Sequence, residues 1–565
     1  MELTWILDDA SQNQSKDCFS ERLQIPKTIA DILIKRGVDT DEKAIKFFTS
    51  SIEDLFDPFL LPDMKKAAER IIQAINNNEK ILVYGDYDVD GITSVSLLYM
   101  FCQNLGADVT FYIPNRMREG YGLSRAGIED AHHKGVALII SVDCGITAVE
   151  EVAFANSLGI DVIISDHHEP GRDAPEALAI LDPKCKDAEY PFTELAGVGV
   201  TYKIAQALTE MLNLDQEMLR QFADLVAIGS TADIVPLVDE NRILVKEGLK
   251  RINTDNRPGL RALAQTAGLH SKTIGTGQIV FIIAPRINAV GRLGNAERAV
   301  RLLTTTNREQ ARNIAAVLES ENKTRKDIDE HTFREAQEMV EMEYDPKDNR
   351  ALVLDKDGWH PGVIGIVASR IVEKYYRPTV MISVEDGVGK ASARSISGFD
   401  IYSALKQCED LLVAYGGHKY AAGLTIHKDK IGDFRDRFNE IANEALTDEM
   451  LSPKLHIEAE IRLGEINDRF LQLLKKMAPF GPKNMRPVFL SRQLQVVGTP
   501  SIVGNNHLKF KVKQDNMLID TIGFNLGDKI YRISPGEDNL DLVYVIEENE
   551  YLGRVNLQLR IKDLR

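Results

Sequence analysis

The chain has 565 residues, 44% hydrophobic and 27% charged, with 68 Lys and Arg against 85 Asp and Glu for a net charge of −17. That length excludes a peptide or a disulfide-stapled mini-fold and suggests three or four domains. The acidic balance argues at first against a polyanionic partner, because phosphate binding is mostly the work of Lys and Arg.

The N-terminus has no basic and apolar leader, and no apolar run approaches the ~20 residues of a membrane span, so a cytoplasmic protein with no membrane partner is expected. Residues 1–74 read as a helical preface with a Pro-rich corner at Asp57-Pro58 to Leu61-Pro62. From 75 to 240 the pattern alternates: strands at 81–84, 109–113, 137–142 and 162–165, helices at 91–103, 124–133 and 147–157. Nearly all-apolar strands alternating with helices predict a parallel sheet covered on both faces. Residues 241–349 are mostly helical, and the polar run 308–343, with the pairs Glu319/Lys323 and Glu330/Arg334, predicts a long solvated linker helix. A second α/β unit spans 350–450, with strands at 351–354, 379–383 and 390–395 and helices at 362–373 and 433–445. Residues 453–565 carry short alternating strands at 507–513, 542–546 and 555–561, the pattern of a small β-barrel or sandwich. Five scattered cysteines with no CxxC exclude a thiolate zinc site and fit a reducing compartment.

The chemistry collects at strand ends. Gly85-Asp86-Tyr87-Asp88-Val89-Asp90-Gly91 directly follows the strand 81–84. The strand 137–142 ends in Asp143-Cys144-Gly145, and 162–165 ends in Asp166-His167-His168. Asp233, in Thr231-Ala232-Asp233-Ile234-Val235-Pro236, follows an apolar helical stretch. Open α/β sheets bind ligands outside the carboxyl ends of their strands, so these groups can converge. Crowded carboxylates must be protonated or neutralised by cations. Carboxylate with imidazole suits Mn²⁺ or another divalent first-row ion, and two metals are feasible, an arrangement suited to phosphoester hydrolysis. Taken singly, each has a plainer reading: Asp143 as a helix N-cap, DxDxDG as a calcium loop that lacks its Glu, and Asp166-His167-His168 as a capped turn. No GxxxxGK[ST] occurs, so ATP-driven unwinding is not expected. Gly197-Val198-Gly199 lacks the third glycine of a dinucleotide fingerprint and is explained by a phosphate- or helix-packing turn.

GDYDVDG, SVDCG and SDHH, in this order, resemble the DHH phosphoesterase superfamily. Gly358-Trp359-His360-Pro361-Gly362 and Gly416-Gly417-His418 resemble its DHH-associated domain. Pro114-Asn115-Arg116 to Glu119-Gly120-Tyr121-Gly122, Leu195-Ala196-Gly197-Val198-Gly199-Val200, Thr231-Ala232-Asp233 and Pro285-Arg286-Ile287-Asn288-Ala289 to Gly291-Arg292 carry the resemblance to single-strand exonucleases of that superfamily, over residues 75–565. The resemblance implies an α/β protein with a parallel-sheet DHH domain (75–240), a helical region with the linker helix (241–349), a DHH-associated α/β domain (350–450) and a C-terminal OB-like β-barrel (453–565). It implies Asp88, Asp90, Asp143, His167 and Asp233 as ligands of two Mn²⁺ or Mg²⁺ ions, with Asp143 bridging. Asp86 and Asp166 would be ligands or would orient them. His168 would bind the scissile phosphate, so that Asp143, Asp166 and His168 form the catalytic set. Many superfamily members carry His four residues before the Asp that matches Asp88; here Tyr84 stands there, so the first metal site is weaker or uses another donor. The implied activity is metal-dependent 5′-to-3′ hydrolysis of single-stranded DNA to mononucleotides in repair and recombination, by a monomer working with a helicase and a single-strand-binding protein. Two alternatives are a phosphodiesterase of cyclic dinucleotides or very short RNA, which would end near residue 450, and a non-catalytic scaffold, which would have lost ligands.

Arginine matches phosphate oxygens bidentately, so Arg116, Arg286, Arg292 and Arg394, with Ser392 on the same strand face as Arg394, are candidate phosphate-binding residues, and the resemblance implies that some of them form a pocket for a 5′-terminal phosphate. Any one of them also reads as a solvated salt bridge; Arg286 and Arg292 flank what reads as an Asn-Ala-Val-Gly loop. Gly416-Gly417-His418 reads as a turn approaching a ligand, with His418 as donor, or as a capped helix end; His360 has similar alternatives. From Arg469 to Gln514 there are nine basic residues and no Asp or Glu. Lys509, Lys511 and Lys513 alternate on one strand face, with Phe480, Phe489 and Phe510 interleaved, as on an OB-fold platform for single strands. The plainer reading makes the phenylalanines core and the lysines solubilising groups of an edge strand.

Overall fold

The computed structural model describes residues 3–8, 14–115, 119–270, 272–293, 295–345, 349–551 and 554–565. The chain divides into two compact units, Asp9–Glu321 with Ala459–Arg565, and Met1–Asp8 with Asn322–Glu458. The polar run is one helix, Arg308–Glu343. Its acids are used across the fold more than along the helix: Glu319 takes Arg286 at 2.5 Å, and Glu330 takes Arg370 at 3.0 Å.

In the larger unit a five-stranded parallel sheet has the order Val109–Tyr112, Lys80–Gly85, Val136–Val142, Asp161–Ser165, Ala179–Leu181. The last strand has three residues, too few for any periodic signal, and escaped the sequence reading. Alternation along the strands sorts side chains into two cores. Ile81, Val83, Leu138 and Ile140 pack with the helices Val89–Asn104, Gly197–Met211 and Ala223–Ala232. Leu82, Tyr84, Ile139 and Ile164 pack with Arg125–His133 and Val149–Ser157.

The C-terminal barrel closes because Phe489–Val503 pairs with His507–Gln514 on one side and Asp538–Tyr551 on the other, while Met517–Gly523 and Arg554–Leu564 complete the ring. Register shifts at Ser491/Leu494 and Val497/Ser501 let one long strand serve both neighbours.

Residues 1–74 are not a separate helical preface. Thr4–Leu7 is a strand, parallel to Lys454–Ile457, a pairing between distant segments that no local pattern reveals. The helices Gln14–Leu23, Lys27–Lys35 and Asp41–Thr49 supply Phe19, Ile29, Leu33 and Ala44 to the barrel core. Met64–Asn76 supplies Met64, Ala67 and Ile71 to the parallel-sheet core.

In the smaller unit the sheet order is Leu412–His418, Ala421–His427, Val388–Arg394, Thr379–Glu385, Leu352–Asp357, and only the last pair is parallel. Gly416-Gly417-His418 is thus the end of an exposed edge strand, neither a turn nor a helix cap. Two glycines within seven residues hide its strand character. Gly417 (φ +140°) lies where a Cβ would meet Ala421 O and Ala422 Cα at 2.5 Å.

Candidate metal centre

Three parallel strands deliver the site. Lys80–Gly85 leads into Asp86, Asp88 and Asp90 at the start of the helix Val89–Asn104. Val136–Val142 leads into Asp143, and Asp161–Ser165 into Asp166, His167 and His168. Asp233 closes the helix Ala223–Ala232. Donor atoms of Asp90, His167 and Asp233, and of Asp143, His167 and His168, lie mutually within 4.8 Å. His167 Nε2 is 3.1 Å from Asp143 Oδ1, 3.7 Å from Asp233 Oδ2 and 3.8 Å from Asp90 Oδ2.

The backbone holds these groups in place. Asp143 sits at φ +60°, a left-handed conformation that costs free energy in a non-glycine residue and turns the chain at the strand end. Asp90 accepts Gly197 N–H at 2.7 Å and Val198 N–H at 3.0 Å from the first turn of Gly197–Met211. Gly197-Val198-Gly199 is therefore the anchor of a site carboxylate, a role its sequence did not disclose. A Cβ at Gly197 would lie 2.5 Å from Asp143 Oδ1, and one at Gly229 would lie 2.7 Å from Asp90 Oδ1. Asp88 caps its helix by accepting Gly91 N–H at 3.1 Å. Asp86 is buried beneath the same loop. Neither Asp86 nor Asp88 belongs to the two convergent donor groups.

Burial, then the charges of neighbouring carboxylates, push Asp90 and Asp143 well above the usual carboxylate range. Burial, then Asp88, raises Asp233 to about 7. The two histidines diverge. Burial, then the neighbouring His168 charge, lowers His167 to about 3, leaving a neutral imidazole, the form that ligates metals. Burial also opposes charge on His168, but its 2.6 Å hydrogen bond to Asp166 and the surrounding acids outweigh it and raise it to about 9. Asp166 also accepts N–H groups from Ile146, His167 and His168, so its oxygens are engaged in holding the histidine pair. Tyr121, missed as a site residue, donates to the Asp143 carbonyl at 3.1 Å and lies 3.3 Å from His168 Nε2. Asp143 Oδ1 and His167 Nε2 are buried and make no hydrogen bond, a donor set that fits a divalent cation.

Tyr84, four residues before Asp88, takes no part in the site. Strand alternation sends it into the core, where its hydroxyl donates to Gly122 O and accepts Ser124 N–H, both at 3.2 Å.

The structure separates the remaining candidates. Arg116 lies outside the described residues. Arg286 is buried and bonded to Glu319 and to Ile282 O at 2.6 Å, an ion pair turned inward rather than a solvated one. Residues 288–291 are helical rather than a loop: Ala284–Leu293 is one helix whose Gly291 packs on the Tyr87 carbonyl, with partly exposed Arg292 in its last turn. Arg394 bonds Ser392 Oγ at 3.0 Å, and both lie against Gly365 in the first turn of the helix Ile364–Tyr375. His360 Nδ1 accepts Gly362 N–H at 3.0 Å ahead of that helix, and His418 is exposed on its edge strand. Lys509, Lys511 and Lys513 are exposed on one barrel face. Phe489 and Phe510 are core and offer no stacking surface, whereas Phe480 is partly exposed with the Arg486 guanidinium 4.7 Å from its ring. Nor is the basic stretch acid-free in space: Arg492 bonds Glu460 and Asp541, Lys475 bonds Glu548, and Lys511 faces Asp520 at 3.7 Å. Exposed aromatics on the barrel, Phe524 and Tyr531, lie beyond that stretch and were missed.

Comparison with known proteins places this geometry. Family models match residues 80–230 (DHH family, N-terminal domain), 348–444 (DHHA1 domain) and 457–563 (RecJ OB domain). The chain is 40% identical over 564 residues to the single-stranded-DNA-specific exonuclease RecJ of Bacillus subtilis (strain 168), covering 99% of this chain and 70% of that one. The crystal structure of RecJ from Thermus thermophilus in complex with Mn²⁺ superposes with a TM-score of 0.84 at 30% identity, covering 100% of this chain and 79% of that one. The Mg²⁺ complex of RecJ from that organism gives 0.79 at 28%, covering 100% and 78%. With the three domain types in the RecJ order and that identity over nearly its whole length, the chain belongs to the RecJ family of single-stranded-DNA-specific exonucleases.

Proposed function

We propose that the chain is a divalent-metal-dependent exonuclease that degrades single-stranded DNA from its 5′ end to mononucleotides, in DNA repair and recombination in the cytoplasm. One observation carries the reading: Asp143 Oδ1 and His167 Nε2, 3.1 Å apart, are buried without hydrogen bonds in a chain of this family. Mn²⁺ or Mg²⁺ is supported by the donor group Asp90, His167 and Asp233, with Asp143 Oδ1 3.1 Å from His167 Nε2, and by the metal complexes of related structures; the count of two per site is what the family resemblance implies. A divalent cation, when bound, supplies positive charge against the phosphate and lowers the pKa of a coordinated water.

The chain's own residues do the rest. Asp90, Asp143, His167 and Asp233 hold the cation, with Asp88 and Asp86 on the adjoining loop. Asp166 keeps His168 protonated, and that partly exposed imidazolium binds the scissile phosphate while Tyr121 steadies it. Ser392 and Arg394, beside a helix N-terminus with His360 near it, suit a 5′-terminal phosphate. Arg116, Arg292 and the edge strand Gly416-Gly417-His418 supply further contacts to the strand. Lys509, Lys511 and Lys513 guide it along the barrel. The chain acts as a monomer. As the family resemblance implies, it works with a helicase and with a single-strand-binding protein. A cyclic-dinucleotide phosphodiesterase would not need the barrel, and a scaffold would not keep the donor set; neither alternative is favoured.

The test is digestion, with Mn²⁺, of an oligonucleotide carrying its label in the 5′-terminal phosphate. Mononucleotides should appear from the 5′ end, and Asp143→Asn should slow them by about 10²–10³-fold or more. An Asp143→Asn enzyme as fast as wild type sinks the reading.

A further inference from the structure

Within the larger unit, where the helix Asp41–Thr49, the helix Asp239–Thr254 and the loop around Lys483 meet, lies a cavity of about 390 Å³ that contains none of the metal-centre residues. Its floor is apolar: Val38, Phe47, Val238 and Ile243. Six cations line it (Arg36, Lys43, Lys46, Arg242, Lys246 and Lys483) against one acid, Asp239. Asp239 pairs with Lys46 at 3.3 Å, and Lys43 pairs with Asp39 at 2.7 Å. Among the described residues Arg242, Lys246 and Lys483 have no carboxylate partner.

Arg242 is the telling member. It is only 5% exposed, yet its guanidinium donates only to two carbonyls, Ala478 O and Lys476 O, each at 2.9 Å. Its Nε is buried and makes no hydrogen bond. Its other neighbour is the Phe47 ring, 4.2 Å from the guanidinium carbon. A buried guanidinium without a counter-charge is costly, and an anion bound beside it relieves that cost.

We propose that this cavity is a second binding site, for one nucleotide unit: the phosphate meets Arg242, Lys246 and Lys483, and the base lies on the apolar floor at Phe47. The cavity is large enough for a base with its sugar, which inorganic phosphate alone would not fill. Guanidinium and ammonium groups of this kind favour phosphate oxygens. The shared chemistry comes from either of two sources, a free mononucleotide or one nucleotide of a bound strand. The site stands on its own residues and survives failure of the exonuclease reading.

Calorimetric titration of the full chain in EDTA, which strips the metal centre, tests it with dTMP, inorganic phosphate, a short oligothymidylate and an Asp/Glu-rich peptide. Wild type should bind dTMP, and more tightly than phosphate. The double variant Lys246→Glu/Lys483→Glu, exposed positions whose folding is checked by thermal unfolding, should bind at least about tenfold more weakly. Asp143→Asn should bind like wild type. A loss of oligothymidylate affinity in the double variant alongside the loss of dTMP identifies a strand as the source, and an unchanged oligothymidylate affinity in a variant that has lost dTMP identifies a free nucleotide. The proposal is overturned if wild type binds no dTMP, if Asp143→Asn loses binding while the double variant keeps it, or if the acidic peptide binds more tightly than either nucleotide probe.

Discussion

His167 Nε2 lies 3.1 Å from Asp143 Oδ1, both atoms are shut away from solvent, and neither makes a hydrogen bond. Around them Asp90 and Asp143 resist ionisation because of burial and the charges of neighbouring carboxylates. A bound cation reverses that repulsion and stabilises only the folded chain. Mn²⁺ at about 100 times its Kd should add about 2.7 kcal/mol, read as a rise in thermal midpoint over protein in EDTA. Asp143→Asn should abolish most of that rise without lowering the EDTA midpoint, since it also removes a like charge. Equal midpoints of wild type with and without Mn²⁺ would contradict the site.

Gly197 is the second lever. A Cβ there would sit 2.5 Å from Asp143 Oδ1 at the helix turn that donates two N–H groups to Asp90. Gly197→Ala should displace both carboxylates, and a displacement of about 1 Å costs about 100-fold in rate. Mn²⁺ affinity, followed by calorimetry, should weaken in parallel. Normal Mn²⁺ binding by a folded Gly197→Ala protein would disprove the clamp.

Asp182 tests a carboxyl outside the donor set. It is fully buried, Oδ1 accepts Lys184 N–H at 2.8 Å, and Oδ2 makes no hydrogen bond. Burial, with the charge of Asp166 adding to it, raises its pKa to about 7. The folded chain therefore keeps a proton that the unfolded chain releases near pH ~4, and stability falls as pH rises from about 4 to about 7. Asp182→Asn should flatten that fall and stabilise by about 1–2 kcal/mol at pH 8, seen as a higher thermal midpoint there than at pH 5 relative to wild type. An unchanged pH profile would count against the buried acid.

The barrel lysines differ among themselves. Lys511 stands opposite Asp520, whereas Lys509 and Lys513 stand opposite Ile522 and Leu518. Replacing all three by Ala should reduce the salt slope of strand binding by about 2, with Lys511→Ala the weakest single change. Fluorescence anisotropy of a labelled oligothymidylate across a salt series reads this directly. A slope that does not move would take the strand off this face.

The convergence of the candidate site residues was legible in the chain because its cause is local. A buried parallel strand must be apolar on both faces, so the residue after it is the first polar one, and in a parallel sheet all such residues emerge at one edge. Asp86, Asp143 and Asp166 could be placed there from their positions in the sequence. The 36-residue helix was equally visible, since an unbroken polar-rich periodicity has one regular outcome. The tertiary structure alone decided which groups meet. His167 and His168 are neighbours in sequence with opposite shifts, because one is buried among the clustered carboxylates and the other is hydrogen-bonded to Asp166. Gly197 reads as a packing turn until Asp90 and Asp143 are seen against it.

The net charge shows the same division. Composition by itself established an acidic chain with a basic stretch from Arg469 to Gln514. Folding brought Glu460, Asp541, Glu548 and Asp520 across strands and loops into that stretch, leaving Lys509 and Lys513 as its exposed charge on the strand His507–Gln514. It also brought Lys483 beside Arg242 and Lys246 of the helix Asp239–Thr254 in one cavity. A sequence carries charge in chain order; only pairing across the fold determines which charges are neutralised and which remain available to a phosphate.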